Sequence, residues 1–309
     1  MLPRLSVVVL AWDQPEHTRR CVQSIRDHTD TSYELVVVDN GSRPEAARYA
    51  EEAADRAILN PTNRGFAAGM NQGLAAARGE LVAFCNNDIA LPPAWASPLL
   101  EDFRAFPEAG LVVPAVTAAG NPVTVRSQPG QAPRVLAPFQ ELPSAVVYLM
   151  GTETCRELGG FDEAYRVATG EDIDLCFKVW ANGLSIVLEE RVLVEHASEA
   201  SRRALPDHHD ILRHNRDLFV RRWSDPQVEH PRLKACPEEV FRRNLAEAAT
   251  AARWLGELFA ARDELAAARA DLRRLERQLA KLEAGQGSPA PWMGRPVRAW
   301  VRRWRGGRS

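Results

Sequence analysis

The sequence predicts an α/β fold, a mixed and mostly parallel sheet flanked by helices, with a helical extension at the C-terminus. Three observations carry this. Valine-rich apolar runs without alternation recur through the first third of the chain, amphipathic segments separate them, and beyond residue 237 strand signals give way to Ala, Leu, Arg and Glu. Uninterrupted apolar runs fit strands buried on both faces, and strand–helix alternation is the βαβ arrangement that covers those faces.

The elements come in order along the chain. "LSVVVLAW" is a strand, "PEHTRRCVQSIRDH" a helix, "YELVVVDNGS" a strand closing in a turn, "RPEAARYAEEAAD" a helix and "RAILN" a short strand. The amphipathic "GFAAGMNQGLAAARG" leads into the strand "ELVAFCNNDIAL". From about 110 to 200 the pattern is mixed: "GLVVPAVTAAGNPVTV", a Pro-rich loop near 128–143, the strand-like "SAVVYLM", and a helix opening at "GEDIDLCFKVWANG". In that helix Ile173, Cys176, Phe177 and Trp180 share a face, and Gly183 supplies a stop. Two strands, "LSIVLEE" and "VLVEHAS", come next, and "DHHDILRHNRDLFVRRW" reads as a closing helix.

Leu258, Leu265, Leu272 and Leu279 recur every seven residues, with Ala261, Ala268, Leu275 and Leu282 three later. That is a coiled-coil seam, and the spacing of Glu257 with Arg262 and Glu264 with Arg269 suits a parallel pair, although Asp271 with Glu276 would repel. The competing reading is one amphipathic helix docked on the core. The expected divisions are 1–230, 237–284 and a basic tail, 285–309, which holds six arginines and no acid. Those arginines are interleaved with Trp292, Trp300 and Trp304, as in an interfacial anchor for anionic lipid, the alternative being a disordered basic tail.

Composition narrows the class. The formal net charge is −2, no apolar run is long enough to span a bilayer, and the N-terminus lacks a small-residue cleavage site after its short apolar stretch. A cytoplasmic protein is expected, with possible peripheral contact at a membrane. Five cysteines (Cys21, Cys85, Cys155, Cys176, Cys236) without CxxC spacing predict reduced core thiols rather than disulfides or a zinc site. No GxxxxGK[ST] occurs, which excludes a P-loop kinase, and no nucleic-acid partner is expected.

Ligands of doubly wound sheets bind beyond the carboxyl ends of the strands, which directs attention to Ala11, Trp12 and Asp13, to Asp39–Ser42, and to Asn86–Asp88. Asp39 can accept hydrogen bonds from a base ring or a ribose hydroxyl, or can simply form the "DNGS" turn. Trp12 can stack on a base or fill the core. Asn63, Asn71 and the glycines between 65 and 73 let either a ligand or another helix approach. "GEDIDL" places three carboxylates at a helix start, where acids favour the free amides and the macrodipole. Asp172 lies at the margin of the apolar face, whereas Glu171 and Asp174 are expected to project further from it and to serve as caps.

Taken together, "SVVVLAWDQPEHTRRCVQSI", "ELVVVDNGS", "NPTNRGFAAGMNQGLAAARGELVAFCNNDIAL", "LGGFDEAYRVATGEDIDLCFKVWANG" and "VEHAS" resemble the family 2 glycosyltransferases of the GT-A fold over roughly residues 4–223. The resemblance implies a nucleotide-sugar donor, a divalent cation (Mg²⁺ or Mn²⁺) on its diphosphate, and transfer to an acceptor hydroxyl with inversion. It implies a nucleotide site at Ala11, Trp12, Asp13, Asp39, Asn63 and Asn71, and metal ligation by Asp88, where Asn86 replaces the first acid of the family's DxD. His196 is a further ligand or a structural histidine. Asp172 is the implied general base, with Glu171 helping to position the acceptor.

The "VVVDNGS" form resembles rhamnosyl and related transferases of bacterial surface polysaccharides, which implies a UDP- or dTDP-linked donor and a glycan or lipid-linked acceptor. Two other functions compete. A nucleotidylyltransferase would need a Gly-rich loop after the first strand, and "LAWDQPEH" has no glycine. A non-catalytic scaffold would keep the fold and assemble partners, or copies of itself, through the coiled coil.

Overall fold

Val7, Val8 and Val9 have no exposed surface, and neither do Val36, Val37 and Val38, so both valine runs are covered on both sides as a central strand requires. In this computed structural model, which describes residues 3–117, 124–125, 128–144, 146–167, 169–197 and 208–283, the runs are β1 (Leu5–Ala11) and β2 (Tyr33–Asp39). They alternate with α1 (Pro15–His28), α2 (Pro44–Ala53), β3 (Arg56–Leu59) and α3 (Phe66–Ala76) before β4 (Leu81–Asn86). Then come β5 (Ile89–Ala90), α4 (Ala96–Ala105), β6 (Ala109–Val116), β7 (Arg134–Val135), β8 (Val147–Gly151), α5 (Thr152–Glu157), α6 (Glu171–Ala181), β9 (Ser185–His196), α7 (His208–Ser224) and α8 (Glu238–Glu283).

The strands run in the order β3-β2-β1-β4-β8-β6-β9-β5, with β7 against β9. β1, β2, β3 and β4 are parallel, and β8 enters antiparallel between β4 and β6, so the sheet is mixed as expected. Register aligns the strand ends. Ala11 lies opposite Asp39 and Leu10 opposite Asn86, so three strands end at one edge. One face packs Leu5, Val7 and Val9 with Cys21, Val22 and Ile25 of α1 and Leu99 of α4. On the other, α3 lies so close that a Cβ at Gly69 would stand 2.3 Å from Leu10 Cδ1, and one at Gly73 2.2 Å from Val8 Cγ1. These two glycines therefore serve helix–sheet packing, one of the two readings their spacing allowed.

Two sequence expectations are corrected. "LSIVLEE" and "VLVEHAS" form one strand, β9: the register against β6 slips between Pro114 and Ala115, looping out Glu190, Arg191 and Val192. Arg191 turns back on Glu189, its N–H donating to Oε1 at 2.6 Å and its guanidinium bonding both carboxylate oxygens, so the charge that resembled a break is neutralised inside the strand.

The second correction concerns α6. Glu171 is 5% exposed and Asp174 1%, whereas Asp172 is only half-buried, so the two acids expected outside are inside. The cause is coverage: Leu175, Phe177, Val179 and Ala181 are all fully buried, and α6 has no solvent-facing stripe from Asp174 onward. Asn182 and Gly183, at φ 73°, end it as expected.

The chain divides into two compact units, Met1–Trp254 and Leu255–Ser309. In the first, the buried Asn244 Nδ2 donates to the Trp180 carbonyl at 2.9 Å. In the second, α8 exposes Leu265 (51%), Leu272 (56%) and Leu275 (42%). The side chains of Leu279 and Leu282, and the arginine and tryptophan tail, lie outside the described residues. All five cysteines are buried and free. No helix among the described residues is long and apolar enough to cross a membrane.

Candidate active site

At the aligned strand ends Asp39 is 1% exposed. Its Oδ2 accepts the Ser42 N–H at 3.1 Å, while Oδ1 is buried with no hydrogen-bond partner. A buried acceptor left unpaired costs about 1–3 kcal/mol, which a ligand N–H or O–H donor would recover. Asn40 N–H donates to the Ala11 carbonyl at 2.7 Å, carrying the β1–β2 ladder one step past the sheet. Asp13 is committed to scaffolding: its N–H donates to Ser42 Oγ (2.7 Å), and its Oδ1 accepts the Arg43 N–H (2.9 Å) and Nε–H (3.3 Å). Asp13 and Gln14 both have left-handed backbone, φ 49° and 50°, so the loop carrying Trp12 is held against its preference. Trp12 is half-buried, which removes it from the core.

Asn40, which the sequence offered only as part of the Asp39–Ser42 strand end and without a role of its own, organises the next loop. Its Nδ2 donates to Asn63 Oδ1 and the Gly65 carbonyl, each at 3.0 Å, and its Oδ1 accepts the Arg64 N–H at 3.0 Å. Asn63 is exposed, and its Oδ1 also takes the Gly65 N–H at 2.8 Å. Gly41 has φ 80°, and a Cβ there would lie 2.5 Å from the Thr62 carbonyl carbon, so only glycine lets the two loops close together. Asn71 is placed elsewhere. Its amide brackets Phe161, accepting the N–H at 2.9 Å and donating to the carbonyl at 2.8 Å, with Glu163 at 2.9 Å, so both ends of the side chain clamp that segment to α3.

Asp88 and His196, more than a hundred residues apart, are brought together by two residues of strand. β5 pairs antiparallel with the end of β9, Ile89 facing His196, and the Ala197 N–H donates to the Asp88 carbonyl at 2.9 Å. His196 Nε2 then lies 3.2 Å from Asp88 Oδ2, the side chains 11% and 16% exposed. Burial pushes the Asp88 carboxyl up, but the hydrogen bond and charge of His196, with His17 nearby, outweigh it and hold the carboxyl below its ordinary value. Asn86 shows its backbone to Val146 and Cys21, and Asn87 Nδ2 donates to Thr18 Oγ1 at 3.1 Å. A carboxylate and an imidazole suit Mn²⁺ or Mg²⁺ with substrate oxygens and water completing the shell; among the described residues no group of three ligating side chains competes with this pair.

The three acids of α6 have separate surroundings. Asp174 Oδ1 accepts the Trp223 indole N–H at 2.9 Å and the Tyr165 hydroxyl at 3.4 Å, and Lys178 Nζ stands 3.2 Å from Oδ2. Asp172 Oδ1 accepts the N–H of Ile173 (2.9 Å) and of Gly170 (3.2 Å), while its Oδ2 makes no hydrogen bond among the described residues and is not buried. Asp172 is thus fixed by one oxygen and offers the other. Ahead of it, Val167 (φ 60°) and Thr169 (φ 100°) are β-branched residues in left-handed backbone, a strain of about 1–3 kcal/mol each that clusters at functional sites. The Phe66 N–H donates to the Val167 carbonyl at 2.6 Å, joining this turn to the start of α3.

The family model described as Glycosyl transferase family 2 matches residues 6–156. The O-antigen biosynthesis protein RfbC of Myxococcus xanthus is 30% identical over 234 residues, 65% of this chain and 18% of that protein. The pre-mycofactocin glycosyltransferase of Mycobacterium tuberculosis is 30% identical over 207 residues, 62% of this chain and 42% of that protein. The chain thus spans less than half the length of these curated relatives. Among solved structures, GalNAc-T7 with UDP, GalNAc and Mn²⁺ aligns with a TM-score of 0.57 at 16% identity, over 73% of this chain and 49% of that one. S. aureus TarS 1-349 in complex with UDP aligns at 0.55 and 15% identity, over 79% and 70%. The fold is that of the GT-A glycosyltransferases.

Proposed function

We propose that the chain, whose residues 6–156 match the model of glycosyl transferase family 2, is a member of that family and moves a sugar, with inversion and with a divalent cation, from a nucleotide diphosphate to an acceptor hydroxyl. The observation that carries the reading is the Asp88–His196 pair, two metal-type ligands 3.2 Å apart at a strand end. Asp39 takes a donor of the base or ribose on its open Oδ1, and Trp12 lies on the neighbouring loop where a base can stack. Asp13, Asn40, Asn63 and Gly41 keep the two loops in shape. Asp172 receives the acceptor's proton on Oδ2 as the acceptor oxygen attacks the anomeric carbon. Glu171 sits one residue ahead of it and helps shape the acceptor side. A cation held by Asp88 and His196 would neutralise charge on the departing diphosphate.

A UDP- or dTDP-linked donor and a surface glycan or lipid-linked acceptor fit this reading, since one relative is named for O-antigen biosynthesis. The exposed leucine seam of α8 fits a second copy, with Glu257 against Arg262 and Glu264 against Arg269 across a parallel pair. A scaffold without catalysis would have no use for the open oxygens of Asp39 and Asp172. The deciding experiment is a donor screen read by nucleotide diphosphate release with and without Mn²⁺, repeated with Asp88→Ala. Release that is cation-dependent and lost in the variant is expected; full activity in excess chelator refutes the metal step.

A further inference from the structure

The turn that delivers α6 is shaped against the preferences of its own residues, so something outside it must hold it. Val167 and Thr169 have positive φ, 60° and 100°, where β-branched side chains are rarely found, and Gly170 follows at 97°. The holder is Asn215 on α7, itself 2% exposed. Its Oδ1 accepts the Arg166 N–H at 2.9 Å, and its Nδ2 donates to the carbonyls of Arg166 and Thr169, each at 2.9 Å, with the Thr169 hydroxyl at 3.4 Å. Both ends of one buried amide are spent on the backbone of the turn. An ideal Cβ on Gly170 would sit 3.0 Å from Tyr165 Cε1 and 3.8 Å from Asn215 Cβ, so the turn is also packed in place. Gly170 is the residue whose N–H reaches Asp172 Oδ1 at 3.2 Å.

We propose that Asn215 is a positioning residue for sugar transfer: by pinning Arg166 and Thr169 it sets the Gly170 N–H that orients Asp172, so that the open carboxylate oxygen faces the acceptor. This rests on the reading of Asp172 as the general base. Asn215 touches no substrate, and the donor-side groups lie off α6 and α7: Asp39 ends β2, Asp88 lies between β4 and β5, and His196 ends β9. Its loss therefore falls on the chemical step. Displacement of a catalytic group by about 1 Å costs on the order of a hundredfold in rate.

The test uses the full chain with Mn²⁺, the best donor from the screen and its acceptor. Asn215→Ala is expected to lower kcat about tenfold to a hundredfold, with donor Kd by calorimetry and acceptor KM unchanged. Asn215→Asp, which keeps an acceptor for the Arg166 N–H but turns a carboxylate on two carbonyls, is expected to be at least as slow. Adding Thr169→Gly to Asn215→Ala should restore part of kcat, because glycine holds φ 100° without a clamp.

A purely structural role would lower the melting temperature and the fraction of molecules that bind donor, yet leave turnover per donor-binding molecule at the wild-type value. That result overturns the proposal. Should Asn215→Ala not fold, Asn215→Gln keeps the amide and displaces it by one methylene, with the same split of kcat from KM expected. Asp172→Asn separates the two ideas. Unchanged turnover in that variant removes the base reading and this inference with it. Lost turnover there, alongside wild-type turnover in the Asn215 variants, removes this inference alone.

Discussion

The indole N–H of Trp223 on α7 donates to Asp174 Oδ1 on α6 at 2.9 Å, with both side chains out of solvent. Burial and the Asp174 charge push the Tyr165 phenol well up, so it too remains a donor to that carboxylate. Asp174 is the hub that docks α7 on α6. Trp223→Phe keeps a ring of similar size and removes the donor. It should destabilise the protein by about 1–3 kcal/mol in denaturant unfolding, because a buried acceptor loses a partner. Turnover per folded molecule should stay as in the wild type.

Asp172→Asn should bind donor and cation as before and lose about 10² to 10⁴ of its transfer rate, the usual contribution of a general base. The amide keeps the shape that accepts the Gly170 and Ile173 N–H groups and has no basicity. Glu171→Gln should be milder. Rates and donor affinity for both variants decide the matter, and wild-type turnover in Asp172→Asn would leave helix capping as the explanation of that acid.

Asp102 is 2% exposed, and burial, then the neighbouring Glu189, push its carboxyl up to about 7 from 3.8, against the pull of Arg191. The folded state therefore holds this proton more tightly than the unfolded chain does. Its stabilising effect is complete below about pH 4 and fades as pH rises through about 7. Asp102→Asn, neutral throughout, should flatten unfolding free energy against pH across that window. At about pH 8 it should match or exceed the wild type, by on the order of 1–2 kcal/mol. A steeper profile in the variant would contradict this.

Replacing Leu265 and Leu272 by glutamate tests the seam of α8. Both are more than half exposed, so the changes should cost the fold little. Sedimentation of the wild type should give about twice the 34.3 kDa chain mass, and the double variant the mass of one chain. Equal masses would reject the second copy as occupant.

The half of the sheet built from β1, β2 and β4 is legible in the sequence because its signal is local: Val7–Val9 and Val36–Val38 announce strands buried on both faces. The antiparallel entry of β8 is not, since which strand pairs with which is decided far away in the chain. β9 reads as two strands because Glu189, Glu190 and Arg191 mimic a loop; the two glutamates stay inside because Arg191, itself exposed, folds back on Glu189 with Asp102 beside it, and Arg134 faces Glu190. In "GEDIDL" helical periodicity points to one solvent face, yet Leu175, Val179 and Ala181 already signal the coverage that buries Asp174. Asn40 leaves a trace, an amide closing a valine run. Asn215 leaves none, because its partners are backbone atoms of a turn that sequence does not reveal.

Asn40 and Gly41 bear on how the donor pocket can be re-engineered. The amide of Asn40 and the missing side chain of Gly41 lock Asp39–Ser42 to the loop at 60–65. Grafting either loop alone from another transferase would break the asparagine's hydrogen bonds to Asn60, Asn63, Arg64 and Gly65 or drive a side chain into the Thr62 backbone. The two loops form one interchangeable cassette, so chimeras that exchange both together should retain folding while sugar preference changes.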